Sequence, residues 1–241
     1  MVSMLVEAFE ATAAPARETA DADFAATAPV VADARLLPAL TARGYRMVAG
    51  NRFVRTLAPA DPRAHPDGAP DVPGDEDGLA LTIDVVVPSF TTRHEPNQPV
   101  GDLVVDAIPG LSYALARQAV EIAVSIRLRE PSLATAAGLP TDFTVPVPDP
   151  LAALALKALA WASRRTERDA VDVWRLLEVA SAAHLAPADW RDTAVRGDAR
   201  RVLNDSFGRR NSGGTTTATS DPVCRLRVAS LVQQHVGRPA R

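Results

Sequence analysis

One tripeptide, Pro148-Asp149-Pro150, divides this chain into two kinds of sequence. Ahead of it, short apolar runs alternate with turn-forming residues. Behind it, Leu151 to Ser163 is a continuous Ala- and Leu-rich segment, and further segments of helical character follow. Asp149 suits an N-cap, its carboxylate accepting from backbone N–H groups of the first turn, and Pro150 suits the first helical position, where its missing N–H would have had no partner. The pattern predicts an α+β plan: a mixed sheet with flanking helices over residues 1–147, then a C-terminal helical bundle over 148–241.

In the first part, residues 4–14 read as a helix and the segment around Asp21 as a strand. Leu36, Leu37 and Leu40 repeat on one face of a helix spanning Ala32 to Arg43, closed by Gly44. Tyr45 to Val48 and Asn51 to Leu57 read as a hairpin about Gly50-Asn51. Residues 59–78 are Pro-, Asp- and Gly-rich and read as a surface loop. The apolar run Leu79 to Val87 is the next strand, followed by a loop from Thr91 to Pro99 and strands at Leu103 to Ile108, Val120 to Leu128 and Phe143 to Val147, with a helical turn or two at Gly110 to Arg117. Helices are predicted at Leu151 to Ser163, Asp169 to Ala183, Pro187 to Arg196, Asp198 to Phe207 and Pro222 to Val236. Arg209 to Asp221 has too little apolar content to bury and reads as flexible.

Composition bounds the function. The chain has 241 residues, 47% hydrophobic and 23% charged, with no run of the length that spans a membrane. Net charge is −3, which argues against nonspecific coating of nucleic acid. Arg164, Arg165, Arg168, Arg196, Arg200, Arg201, Arg209 and Arg210 nevertheless concentrate positive charge in the second half, where a phosphate-rich partner can dock or where helix faces are simply solvated. Cys224 is the single cysteine, and the start lacks a basic leader and cleavage signal, so a cytoplasmic protein without disulfides is expected. His65, His94, His184 and His235 give no zinc spacing, and neither a glycine-lysine phosphate loop nor a Gly-x-Ser-x-Gly elbow is present.

The chemistry is carried by three carboxylates. Asp21 and Asp23 are two residues apart, so in a strand they project to one face. Asp84 interrupts Leu81, Ile83, Val85, Val86 and Val87, and a neighbouring strand can bring it to the same point. Carboxylates packed together repel unless a cation lies between them, and Mg²⁺ favours such oxygen ligands along with substrate phosphates. The plain alternatives stay open: Asp-x-Asp is short in a chain with 29 acidic residues and also occurs in turns and caps, while Thr82, Asp84 and Val86 can form the solvated face of an alternating strand. On one continuous helix Lys157, Arg164 and Arg168 would form a cationic stripe able to hold phosphates, oriented by Asp169 or Asp172; the same spacing also describes a surface salt-bridge ladder over a core of Leu154, Leu156, Leu159 and Trp161.

These elements, Arg17-x-Thr19-x-Asp21-x-Asp23, then Ile83-Asp84-Val85, then Lys157 followed by Arg168-Asp169-x-x-Asp172, resemble in content and order the motifs of the nucleotidyltransferase-like AbiEii/AbiGii toxin family, over residues 5–180. The resemblance implies a nucleotidyltransferase-like fold and transfer of a nucleoside monophosphate from a nucleoside triphosphate to a hydroxyl on RNA or protein. Asp21 and Asp23 would bind two Mg²⁺ ions, and Asp84 would share one and accept the acceptor's proton. Lys157 would contact triphosphate oxygens, assisted by Arg164 or Arg165, with Asp169 and Asp172 supporting. It also implies a cognate antitoxin as partner.

One departure is plain. The family carries a Gly-Gly or Gly-Ser turn ahead of the Asp-x-Asp pair, where bare backbone approaches phosphates. Here that stretch is Val6-Glu7-Ala8-Phe9-Glu10 with Ala13, Ala14 and Pro15, and the first glycine is Gly44. Glu7 then falls where phosphates are expected. Two readings follow: a nucleotide-poor relative, or a start that lies upstream of Met1. A noncatalytic interaction module on the same scaffold is the rival from another class. A metal-dependent phosphohydrolase is disfavoured, since such sites commonly add histidines and none lies near the three aspartates in sequence.

Overall fold

A computed structural model describes residues 1–16, 21–56, 80–91, 93–125, 142–190 and 194–238. Its elements in chain order are helix α1 (Val2–Ala8), strand β1 (Asp21–Ala25), helices α2 (Ala28–Val31) and α3 (Leu36–Ala42), and strands β2 (Arg46–Ala49), β3 (Arg52–Thr56), β4 (Ala80–Ser89), β5 (Glu95–Val100) and β6 (Leu103–Pro109). Helix α4 (Leu111–Leu115), strands β7 (Val120–Ser125) and β8 (Asp142–Val147), and helices α5 (Pro150–Arg164), α6 (Glu167–Ala182), α7 (Ala194–Phe207), α8 (Gly213–Ala218) and α9 (Pro222–Leu231) follow, with a 3-10 turn at Pro187–Asp189 and a π-helical turn, Val232–Val236, continuing α9. The α+β plan of mixed sheet and helical bundle is what the structure has.

Strand β4 organises the sheet. It pairs parallel with β1 and β6 and antiparallel with β3, while β2 and β5 form the ends of the order β2-β3-β4-β6-β5. Alternation along β4 gives it two apolar faces. Val85 and Val87 join Phe53, Val105 and Ala107 under Val31, Leu36, Leu37 and Leu40 of α2 and α3. On the other face Val86, with Ala25 and Ile108, packs against Leu111 and Ala114 of α4 and Ala152 and Leu156 of α5. Asp84, two residues before Val86, therefore belongs to the face that looks toward α5, as does Asp23, two before Ala25.

A second core holds the helices: Leu154 of α5, Val173, Leu176 and Leu177 of α6, Leu203 and Phe207 of α7, and Val228 and Leu231 of α9 are buried together. Val2 and Leu5 of α1, and Val120, Ile122, Val145 and Val147 of the β7–β8 hairpin, pack on this core as well, so packing crosses the line between residues 147 and 148. Asp149 caps α5 as expected, its Oδ1 accepting from the Leu151 and Ala152 N–H groups at 3.0 and 3.2 Å.

Several expectations are corrected. The helix expected over 32–43 starts only at Leu36, as α3, because the Asp33 carboxylate takes the Arg35 N–H and guanidinium and closes a local turn that competes with helical hydrogen bonding; α2 (Ala28–Val31) precedes it. Those hydrogen bonds hold the Asp33 carboxyl at about 2. Helix α1 ends at Ala8, earlier than residue 14. The loop expected from Thr91 to Pro99 contains β5; its Pro96 and Pro99 are tolerated because β5 is an edge strand. Instead of a helix from Pro187 to Arg196 there is a short turn at Pro187–Asp189, and residues 194–196 already belong to α7.

The stretch expected to be flexible, Arg209 to Asp221, contains α8. Gly214 packs so closely that a Cβ there would lie 2.5 Å from the Phe207 ring, and the Thr215 hydroxyl, fully buried, donates to the Phe207 carbonyl at 3.2 Å. Low apolar content is offset there by satisfied polar groups and a glycine contact. The expected loop over 59–78 lies outside the described residues, as do Arg17, Thr19 and the end of the strand expected from Val120 to Leu128. Among the described residues no helix is long and apolar enough to cross a membrane.

Candidate functional site

Sheet register sets one row of charges. Asp23 of β1 is the direct partner of Asp84 of β4, and Asp84 is the direct partner of Arg52 of β3, so the three stand side by side across neighbouring strands roughly 4.8 Å apart. Asp21 registers with Thr82 on the same strand pair; its side chain lies outside the described atoms. Asp84 is not on a solvated face. Its side chain is 16% exposed, and both its oxygens accept from Arg52, from Nε at 2.8 Å and from Nη2 at 2.7 Å. Such a two-pronged, charge-assisted contact is among the stronger polar contacts a protein makes. It places a positive charge where two neighbouring carboxylates would otherwise repel.

The cations of the second half are organised by a helix hairpin. Helix α5 stops because Arg165 turns left-handed at φ 53°, and α6 restarts at Thr166, whose hydroxyl accepts the Asp169 N–H at 3.2 Å. Lys157, Arg164 and Arg168 therefore do not form a single stripe, since Arg168 belongs to the next helix. Folding α6 back on α5 pairs Lys157 Nζ with Asp172 Oδ2 at 2.9 Å, and Arg164 with Asp169 through Nε at 3.1 Å and Nη2 at 2.7 Å. Burial pushes the Asp169 carboxyl up, but hydrogen bonds from Arg164 and Thr166 outweigh it and hold it below its ordinary value. Asp172 also faces Arg175, whose guanidinium donates to the Ser3 hydroxyl of α1 at 3.1 Å. Arg165 and Arg168 are exposed, while Arg200 is buried, donating to the Trp190 carbonyl, and offers nothing to an outside phosphate.

The two groups meet at the start of α1. Burial lowers the Met1 amino group below its ordinary value, and the charges acting on it are Asp23, Lys157, Asp172 and Arg175. Asp23 of the sheet and the Lys157–Asp172 pair thus both act on the Met1 amino group. Glu7 is elsewhere: it is exposed near the far end of α1, about 9 Å along the axis at 1.5 Å per residue.

A further pair sits on the same sheet face. Asp106 registers with Val86 and pairs with His94 at 3.3 Å, while its Oδ1 accepts the Asn97 N–H. His94 and Arg164 line a cavity of about 30 Å³ with Ile108, Pro109, Ala160 and Ser163, room for little more than a water. A depression of about 280 Å³ lies apart from the carboxylates, lined by Ser112, Tyr113, Ala194, Val195 and Arg196. Arg117 and Arg196 stand over the Tyr113 ring there, at 5.6 and 5.8 Å, and burial raises the Tyr113 hydroxyl pKa.

Among the described residues no three His, Cys, Asp or Glu side chains gather as metal ligands. Asp23 and Asp84 supply oxygen only, the donor type Mg²⁺ prefers, so the donor set fits a divalent ion once the Arg52 guanidinium gives up the Asp84 oxygens it occupies. Sequence reasoning missed Arg52 and the His94–Asp106 pair. The hairpin reading carried a usable signal for Arg52, the first residue after the Gly50-Asn51 turn, but not its strand partner.

No curated protein and no solved structure matches the chain. A family model does, over residues 11–231, nearly the whole length and across all three motif regions. On that match the chain belongs to the nucleotidyl transferase AbiEii toxin family of type IV toxin–antitoxin systems.

Proposed function

We propose that this chain catalyses Mg²⁺-dependent transfer of a nucleoside monophosphate from a nucleoside triphosphate to a hydroxyl of an RNA or protein acceptor, in the cytoplasm, and is restrained by a cognate antitoxin. The observation that carries the reading is the register of Asp23 opposite Asp84 on adjacent parallel strands, in a chain of this family. Asp21, Asp23 and Asp84 hold the metal; the bound ion supplies charge stabilisation for the transferring phosphoryl group. In the transfer, a bond forms between the acceptor oxygen and the α-phosphorus, the α–β phosphoanhydride bond breaks, and pyrophosphate leaves. Asp84 receives the acceptor's proton, which requires it to be within hydrogen-bond reach of that hydroxyl. Lys157 neutralises triphosphate oxygens, assisted by Arg164 or Arg165, and Asp172 and Asp169 orient the Lys157 and Arg164 side chains. The sheet half, 1–147, carries the carboxylates and the helical half, 148–241, the cations.

The test is incorporation of α-labelled nucleotide into RNA and protein from cell extract. Wild type is expected to label an acceptor, and Asp21→Ala/Asp23→Ala to reduce labelling to background. Equal labelling by both would end the assignment.

A second reading, a noncatalytic interaction module, is favoured by Arg52 on both oxygens of Asp84. Calorimetric titration with Mg²⁺ and nucleoside triphosphates separates the two: heat that depends on both supports the enzyme, and its absence supports the module.

A further inference from the structure

Resting on the metal-binding reading above, we infer that Arg52 is a built-in counter-cation that a divalent metal must displace from Asp84, so that the Arg52–Asp84 pair sets the metal affinity of the site. The Arg52 guanidinium occupies Asp84 Oδ1 and Oδ2 at 2.8 and 2.7 Å, leaving neither oxygen free of a strong donor. Because β3 and β4 hold the Arg52 and Asp84 backbones in direct register, a released guanidinium stays tethered beside Asp84. Arg52 is nevertheless 48% exposed, so its guanidinium can swing to water on a long, flexible stem while the backbone stays fixed. Asp84, 16% exposed and next to Asp23, gains a cation in either state: Arg52 at rest, the metal when bound.

The exchange is a competition between two cations for one carboxylate. A ligand that binds only the open state has its apparent Kd raised by the inverse of the open fraction, so a pair closed about ten times as often as open weakens metal binding about tenfold. The released guanidinium stays beside the site, where it suits triphosphate oxygens better than an ammonium would, through its planar fork.

The test is Mn²⁺ binding without nucleotide, read by the electron paramagnetic resonance of free Mn²⁺, for wild type, Arg52→Gln, Arg52→Lys and Arg52→Gln/Asp84→Asn. Arg52→Gln is expected to bind Mn²⁺ about tenfold more tightly than wild type, Arg52→Lys to fall between them, and the double variant to lose the gain. Wild type and Arg52→Gln binding with equal affinity, or Arg52→Gln binding more weakly, overturns the exchange while leaving the metal site standing. No Mn²⁺ binding by any variant, each folded by circular dichroism, removes both the exchange and the metal-dependent reading beneath it.

Discussion

Replacing Asp172 with alanine tests how the helix hairpin holds its cations. Asp172 accepts from Lys157 Nζ at 2.9 Å and lies 4.0 Å from Arg175 Nη1; its side chain is 4% exposed, as is that of Arg175, while Lys157 is 19% exposed. Removing one partner of a buried ion pair costs roughly 3–5 kcal/mol, because the charge left behind has lost its solvent and its counter-ion together. The low end, about 3 kcal/mol, applies here, since Lys157 retains a path to water. For a chain of this size each kcal/mol lowers the melting temperature by about 2–4 °C, giving a fall of about 6–12 °C. Lys157→Met removes the more exposed charge and leaves Asp172 facing Arg175, so its cost is roughly half as large. The double variant should melt above Asp172→Ala alone, because Lys157 then no longer faces a missing partner. Thermal unfolding by circular dichroism reads all three. A fall below about 3 °C for Asp172→Ala, or an equal or larger one for Lys157→Met, refutes the reasoning.

Two stability predictions follow from other contacts. Asp169 has its folded-state pKa below its ordinary 3.8, so its pairing with Arg164 and Thr166 contributes fully above that value and is lost as pH falls through the lower folded value. The melting-temperature gap between wild type and Asp169→Asn should therefore be widest near neutral pH and close below pH 3.8; a gap that widens in acid contradicts it. Gly214→Ala puts a Cβ 2.5 Å from the Phe207 ring, which is itself packed edge-on against Trp161 with centroids 5.5 Å apart. Overpacking of this kind costs about 1–3 kcal/mol, and an unchanged denaturation midpoint would show that α8 moves aside freely.

What was legible in the sequence was whatever depends on local period. Alternation in the run through Asp84 gave the strand, and Asp149-Pro150 gave the start of α5, because each signal lies within a few residues. What was not legible depends on partners far along the chain. Asp84 looked like a charge in need of a partner, but that the partner is Arg52 follows from the β3–β4 register, which joins residues 32 apart. The break between Leu151–Ser163 and Asp169–Ala183 was legible, but the left-handed turn at Arg165 that closes α5, and the folding back that pairs Lys157 with Asp172, were not. Helix α8 was hidden because glycine and threonine argue against a helix until Phe207 is packed against them.

The position of Lys157 relative to the carboxylates is set by α5, which serves both cores at once. Ala152 and Leu156 pack on the sheet face that carries Asp23 and Asp84, while Ala153, Leu154, Ala155 and Ala158 are buried in the helical core. Lys157 lies one turn from Ala153 and Leu154, on the side of α5 that meets the helical core. It cannot rotate toward or away from the carboxylate row without lifting one stripe out of its core, and close-packed interiors resist such shifts. The pairing with Asp172 then fixes its ammonium within that allowance, and α1, bound through Ser3 to Arg175, puts its Met1 amino group under the charges of Asp23 and the Lys157–Asp172 pair. The cations and the carboxylates are thus held at a set separation by apolar packing, with the charges themselves supplying only the final orientation.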